Sequence, residues 1–190
     1  MAKKLLILDL DETLIHATDD YQLEGDYDFK FELGGTKWSW EQKTVYFVMK
    51  RPFLDEFLKY AFQNFNVAIW TAGGIDYARK IIEGIGITES SLEFFYTRNN
   101  CTIKVDYASG MYYGEKRLSK VSKSMGWDLE EMLIVDDVPE TAVHNYGNLI
   151  RIRGFYGDNS DTELLKLSNY LEKIKDEVNF RRIEKRGWSN

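Results

Sequence analysis

The sequence predicts an α/β fold: a doubly wound parallel sheet with two small β-hairpin insertions and no large cap domain. Three observations predict it. Residues 5–8 are aliphatic and run straight into Asp9, Leu10 and Asp11. Residues 66–71 (NVAIWT) form a second apolar run, followed by Ala72, Gly73, Gly74 and a helical stripe of Tyr77, Ala78, Ile81, Ile82 and Ile85. Residues 132–135 form a third, ending in Asp136 and Asp137. Short apolar runs without polar alternation suit strands buried on both faces, as in a parallel sheet covered by helices. The insertions, near residues 18–49 and 98–115, are too short to hold a cap.

The 190 residues fit one domain, 1–190, long enough for a full sheet-and-helix core. A hydrophobic content of 44% and a charged content of 29% are those of an ordinary soluble protein. The formal charge of −6 argues against a dedicated duplex-DNA binder. With Cys101 as the only cysteine, an intrachain disulfide is excluded, and a reducing, cytoplasmic compartment is the natural reading. No apolar run approaches the ~18 residues of a membrane span, and the run at residues 5–10 is too short for a signal-peptide core. No repeat, low-complexity tract or interdomain linker is present.

The first strand carries the chemistry. Asp9 and Asp11 sit two residues apart at its end, lean the same way and repel each other. A cation between them would remove the repulsion, and ligand sites of open parallel sheets lie beyond the carboxyl ends of the strands. One carboxylate can attack phosphorus to form an aspartyl-phosphate, and Asp9 suits that role. A second can protonate the leaving oxygen and then activate water, and Asp11 suits that one. Mg²⁺ prefers oxygen ligands and shields the phosphate charge from the nucleophile. The Thr13 hydroxyl is a candidate to hold the turn, the acid or the phosphate. The competing reading of Asp-x-Asp alone is a polar turn.

The stretch DLDETL resembles the first motif of the haloacid dehalogenase (HAD) superfamily of phosphotransferases. Its Glu-Thr-Leu form is similar to the branch of RNA polymerase C-terminal-domain phosphatases, the FCP/SCP or NLI-interacting-factor-like branch. The likeness runs from residue 4 to about residue 165. It implies a HAD-like Rossmannoid fold, Asp9 as nucleophile, and Asp11 as general acid/base with its backbone carbonyl on Mg²⁺.

Residues 17–28 are acidic, with Asp19, Asp20, Glu24, Asp26 and Asp28 and no lysine or arginine. They read as a solvated loop, or alternatively as a gate that repels acidic ligands. Residues 27–33 alternate aromatic and polar, Gly34-Gly35 turns the chain, and residues 38–49 return as a β-rich segment. Phe29, Phe31, Trp38, Trp40, Tyr46 and Phe47 are cross-strand or core aromatics, or else the lining of a substrate groove. Pro52 is expected at a first helical position, before a stripe of Phe53, Phe57, Leu58, Ala61 and Phe62. Arg51 is either a surface ion pair or, by the resemblance of Arg-Pro after a strand, a phosphate-binding residue.

Thr71 ends the strand at residues 66–71. A hydroxyl with backbone amides at a helix entry makes a phosphate cradle. By resemblance to the second motif, Thr71 and the Ala72 amide grip phosphate. Residues 92–97 read as a third strand and residues 98–114 as a short hairpin turning near 108–110. With no cap, the site is expected to be open and suited to a macromolecular or peptide substrate. Residues 116–125 read as a helix ended by Gly126. Lys116 at its start is disfavoured by the helix dipole. It reads as a solvated lysine or, by resemblance to the third motif, as the lysine bridging nucleophile and phosphate, with Lys104 as the alternative.

Asp136-Asp137 is the second place where an apolar strand delivers paired carboxylates, and two such tips make an oxygen-rich Mg²⁺ site. This matches the fourth motif, with Asp137 preferred as direct ligand and Asp136 as partner of Lys116 or of a metal water. Pro139 is expected to open a short helix, and residues 148–152 to form another strand. Residues 160–163 carry a capping-box pattern before a stripe of Leu164, Leu167, Leu171, Ile174 and Val178. Residues 173–186 carry six basic residues and read as a solvated tail or a phosphate-rich contact. His16 and His144 are expected to be structural or exposed.

The expectation is therefore a Mg²⁺-dependent phosphatase working through an aspartyl-phosphate, on phosphoserine or phosphothreonine in a protein or peptide. Two rivals stand beside it: a nucleic-acid-end or small-metabolite phosphatase with the same core, and a non-catalytic binding module on this fold.

Overall fold

The computed structural model describes residues 3–19, 27–34, 43–105 and 112–189. In chain order the strands and helices are β1 (Leu5–Leu8), β2 (Ile15–Thr18), β3 (Phe29–Leu33), β4 (Thr44–Lys50), α1 (Leu54–Asn64), β5 (Asn66–Trp70), α2 (Ile75–Gly84) and β6 (Phe95–Tyr96). Then come β7 (Thr102–Val105), β8 (Tyr112–Glu115), α3 (Leu118–Met125), β9 (Met132–Asp136), β10 (Leu149–Arg151) and α4 (Glu163–Ile174).

Five strands pair in parallel in the order β10-β9-β1-β5-β6. β1 is central and buried on both faces, as its unbroken aliphatic run requires. Leu6 and Leu8 join one apolar cluster with α1, α2 and α4. Leu5 and Ile7 join the other with Leu118 and Val121 of α3. The period of two thus sends alternate residues to helices on opposite faces, which makes the sheet doubly wound. Leu8 is level with Ile69 of β5 and Val135 of β9. The next residues along the three strands therefore emerge side by side at the same end of the sheet.

Both insertions are small antiparallel sheets. One has the order β2-β4-β3, and the other is the β7-β8 hairpin. Residues 17 and 18, expected in an acidic loop, belong to β2, which pairs with β4. Asp28 accepts a hydrogen bond from the Lys50 amide at 2.7 Å. Asp20, Glu24, Asp26, Trp38 and Trp40 lie outside the described residues. The described aromatics pack as cross-strand and core contacts: Phe31 stacks on Tyr46 at 5.4 Å, and both meet Tyr77 of α2. Phe29 presses so closely on Gly84 of α2 that a Cβ there would collide with its ring.

Other expectations are corrected by the structure. α1 starts at Leu54, and its N-cap Phe53 has φ +66°, so Pro52 lies in the turn before the helix and Phe53 is exposed. Of residues 92–97 only Phe95–Tyr96 pairs, at the sheet edge. The capping box at residues 160–163 does not form: the N-cap is Thr162 without a side-chain bond, and Ser160 bonds Asp158 instead. α4 ends at Ile174, leaving Val178 exposed. Residues 173–186 are no solvated tail, because Phe180 is fully buried in the core and Lys185 is buried too. Gly126 caps α3 with φ +79°, as its place in the sequence predicts. No helix among the described residues is long and apolar enough to cross a membrane.

Candidate active site

Asp9 leaves β1 with its amide donating to the Val135 carbonyl at 3.1 Å, so the tip is still stitched to β9. Its carboxylate is almost buried. Lys116 Nζ donates to Asp9 Oδ1 at 2.5 Å and to Asp136 Oδ2 at 2.7 Å. Lys116 precedes α3 rather than opening it, and the two carboxylates it touches balance its charge. Its amide donates to the Thr141 carbonyl at 2.7 Å, and its carbonyl accepts from Asn145 Nδ2 at 2.8 Å. The ammonium is thereby held from both sides of its own backbone. Lys104, the alternative, is exposed on β7.

Asp136 is fully engaged. Besides Lys116 it accepts from Thr141 Oγ1 at 2.8 Å and from the Val138 amide at 2.9 Å. Asp137 is half-buried and forms no ion pair among the described residues. Burial, then the Asp136 charge, pushes its carboxyl up to about 6. Burial likewise pushes Asp9 up, against the pull of Lys116 and with Asp136 and Asp11 adding repulsion. Lys116 is held protonated, because the two carboxylates outweigh the burial that opposes its charge.

Asp9, Asp136 and Asp137 each offer an oxygen, all within 4.8 Å of one another. These are hard donors with one ammonium among them, so negative charge is left over. That set fits Mg²⁺ and not a thiophilic metal.

Asp11 faces the other side of the site. Thr71 Oγ1 donates to its Oδ2 at 3.3 Å and accepts from the Gly73 amide at 2.9 Å. Tyr77 OH of α2 donates to Asp11 Oδ1. In the sequence Tyr77 stands only as part of an apolar helical stripe. The missed signal was its hydroxyl, which needs a partner when the ring is packed. Burial, then the Asp11 charge, pushes that phenol far above its usual range. Ala72, Gly73, Gly74, Tyr46, Tyr77 and Arg98 form with Asp11 an open cleft of about 480 Å³.

Two candidates do other work. Arg51 is buried and does not face the cleft. It binds Asp161 through Nε at 3.0 Å and Nη2 at 2.9 Å, and donates to the Thr13 carbonyl at 2.9 Å and the Arg153 carbonyl at 2.7 Å. It clamps the Asp9–Thr13 turn to the chain before α4, and its five donors leave no free fork for phosphate. Thr13 is buried, and its hydroxyl has no partner, so it holds neither the turn nor Asp11. Burial would push Asp161 up, but bonds from Arg51, the Glu163 amide and Arg153 outweigh it and hold it below the carboxylate range. The pair therefore contributes stability at neutral pH and loses it as pH falls through that lowered value. Arg51→Met removes the buried ion-pair partner of Asp161, leaving it the Glu163 amide and the exposed Arg153, and urea denaturation is expected to show a loss of about 3 kcal/mol. His16 and His144 contact Glu12 and Glu115 and touch none of the site carboxylates.

The NLI interacting factor-like phosphatase family model matches residues 4–181. The chain is 35% identical to the CTD phosphatase-like protein 355R of Invertebrate iridescent virus 3, over 91% of this chain and 97% of the viral one. It is 31% identical to Nuclear envelope morphology protein 1 of Saccharomyces cerevisiae, over 95% of this chain but 41% of that protein. It is also 31% identical to CTD nuclear envelope phosphatase 1B of Danio rerio, over 95% and 71%. Among solved structures it resembles Fcp1, an RNA polymerase II CTD phosphatase, with TM-score 0.72 and 19% identity over 91% of this chain and 62% of that one. A haloacid dehalogenase-like hydrolase from Xanthomonas campestris shares the fold at TM-score 0.54 and 12% identity, over 93% of this chain and 98% of that one.

Proposed function

We propose that this chain, which belongs to the NLI interacting factor-like phosphatase family, is a Mg²⁺-dependent phosphatase that forms an aspartyl-phosphate on Asp9. The observation that carries the reading is Lys116 seated between Asp9 and Asp136. A buried ammonium favours the ionised nucleophile against the burial that opposes it, aims it, and offers positive charge to an arriving phosphate. The Asp9 oxygen attacks phosphorus in line while the bond to the leaving oxygen breaks. Asp11 gives its proton to that oxygen and then takes one from the water that releases phosphate. Thr71 and the Ala72 amide, at the start of the turn beyond β5, bind the phosphoryl oxygens. Asp9, Asp137 and the Asp11 backbone carbonyl would hold Mg²⁺, which would supply positive charge against the phosphate.

Tyr77 orients Asp11. Tyr77→Phe is expected to lower kcat about tenfold with little change in KM for a small phosphoester such as p-nitrophenyl phosphate. An unchanged kcat would remove Tyr77 from the account.

The substrate class is phosphoserine or phosphothreonine in a flexible protein segment. The open cleft beside Asp11 supports it, as do the phosphatase names of the relatives. The complete set of Asp9, Asp11, Lys116, Asp136 and Asp137 speaks against a non-catalytic binding module. The test is a panel of phosphoserine and phosphothreonine peptides, a 3′-phosphorylated oligonucleotide and small sugar phosphates, with Mg²⁺ and with excess EDTA. The phosphopeptides are expected to be cleaved fastest, and EDTA to abolish turnover. Faster cleavage of the oligonucleotide or a sugar phosphate would replace the substrate reading. Turnover undiminished by EDTA would replace the metal.

A further inference from the structure

Behind β10 lies a cavity of about 790 Å³, walled by the C-terminal segment. Five basic residues line it, Arg151, Arg181, Arg182, Lys185 and Arg186, against the single acid Glu184. That is +4 on a chain of −6, which leaves −10 for the rest. The segment is built in. Phe180 is in the core, Lys185 Nζ donates to the carbonyls of Gly147 at 2.8 Å and Ile183 at 3.0 Å, and Trp188 Nε1 donates to the Arg151 carbonyl at 2.7 Å. Arg186 pairs with Glu184. Arg151, Arg181 and Arg182 are exposed and form no ion pair among the described residues.

The cavity adjoins the site. Arg151 is level with Asp136 in the sheet. It also lines a smaller cleft of about 380 Å³ that contains Asp137. Arg151 thus borders both spaces, so a chain that left the Asp137 cleft past Arg151 would meet the basic cavity. We propose that this cavity holds acidic residues flanking the phosphorylated residue of the substrate. The proposal rests on the phosphopeptide reading and adds its sequence preference. Guanidinium forks match carboxylates, and unpaired ones gathered in a concavity favour an anionic guest. A long nucleic acid is disfavoured by the −10 around the cavity.

The experiment has two arms, both including the double variant Arg181→Gln/Arg182→Gln. In the first, a fluorescein-labelled, unphosphorylated peptide of six glutamates is titrated by anisotropy at low salt. Binding is expected, weaker by about tenfold in the variant and screened at high salt. An oligonucleotide of matched charge is the comparison. In the second arm, phosphoserine peptides with glutamate or neutral flanks are turned over. The acidic flank is expected to lower KM about tenfold in the parent, with the advantage lost in the variant and p-nitrophenyl phosphate hydrolysis unchanged in both. Binding of the glutamate peptide that the variant retains, or no binding, overturns the proposal. So does tighter binding of the oligonucleotide. The first arm needs no turnover, so a phosphopeptide that is never cleaved overturns the substrate reading while the cavity is still scored.

Discussion

Asp9→Asn is expected to reduce turnover by at least ~10⁴-fold, because the amide cannot receive a phosphoryl group as the carboxylate does. The fold should not suffer. Asp9 is buried beside Asp136, Asp11 and Lys116, and burial already opposes its ionised form. An uncharged isostere removes that cost and leaves Lys116 its bond to Asp136. The thermal midpoint is therefore expected to stay level or rise while activity disappears. Parallel steady-state kinetics and thermal melts check this. A midpoint that collapses with the activity would mean Asp9 is structural.

Lys116→Met is expected to fail on both counts. It leaves Asp9 and Asp136 facing each other without the intervening ammonium. Removing one member of a buried ionic group costs about 3–5 kcal/mol, roughly a 6–20 °C fall in midpoint for a chain of this size. Activity should fall ~10³-fold or more, since the nucleophile loses its orientation and its charge partner. The deficit has a sign in pH. A carboxyl whose folded pKa is raised destabilises most where the unfolded chain would be ionised, and protonation relieves it. The loss should be smaller at about pH 5 than at about pH 8. Lys116→Arg is not expected to rescue, because a planar fork does not fit where a point charge sits between two carboxylates. A variant with the parent's midpoint at both pH values would contradict this account.

Much of this site was legible in the sequence because strand tips announce it. Apolar runs that end in Asp9 and in Asp136-Asp137 have no packing reason to do so, and parallel register brings both tips to one end. Thr71 was legible for the same reason. Lys116 stood out as a cation at an apparent helix start, and the structure resolves that oddity by starting the helix two residues later in the chain. What escaped depends on partners far away in sequence. Arg51 meets Asp161 across 110 residues, and no local pattern distinguishes that from a phosphate contact. Tyr77 looked apolar because helical periodicity records the ring and not the hydroxyl. The basic C-terminal segment looked solvated because its charges outnumber the buried residues, Phe180 and Lys185 among them, that fold it back. The capping-box pattern at residues 160–163 lost to the stronger pull of Arg51 on Asp161 and of Asp158 on Ser160.

The account stands on phosphoryl transfer to Asp9. Rapid acid quench of a single turnover with a ³²P-labelled phosphoserine peptide, followed by proteolysis, tests it most directly. The predicted result is radioactivity covalently held on the fragment containing Asp9 before inorganic phosphate accumulates, absent in Asp9→Asn. Label on a different fragment, or phosphate released with no protein-bound label at any time, would contradict it.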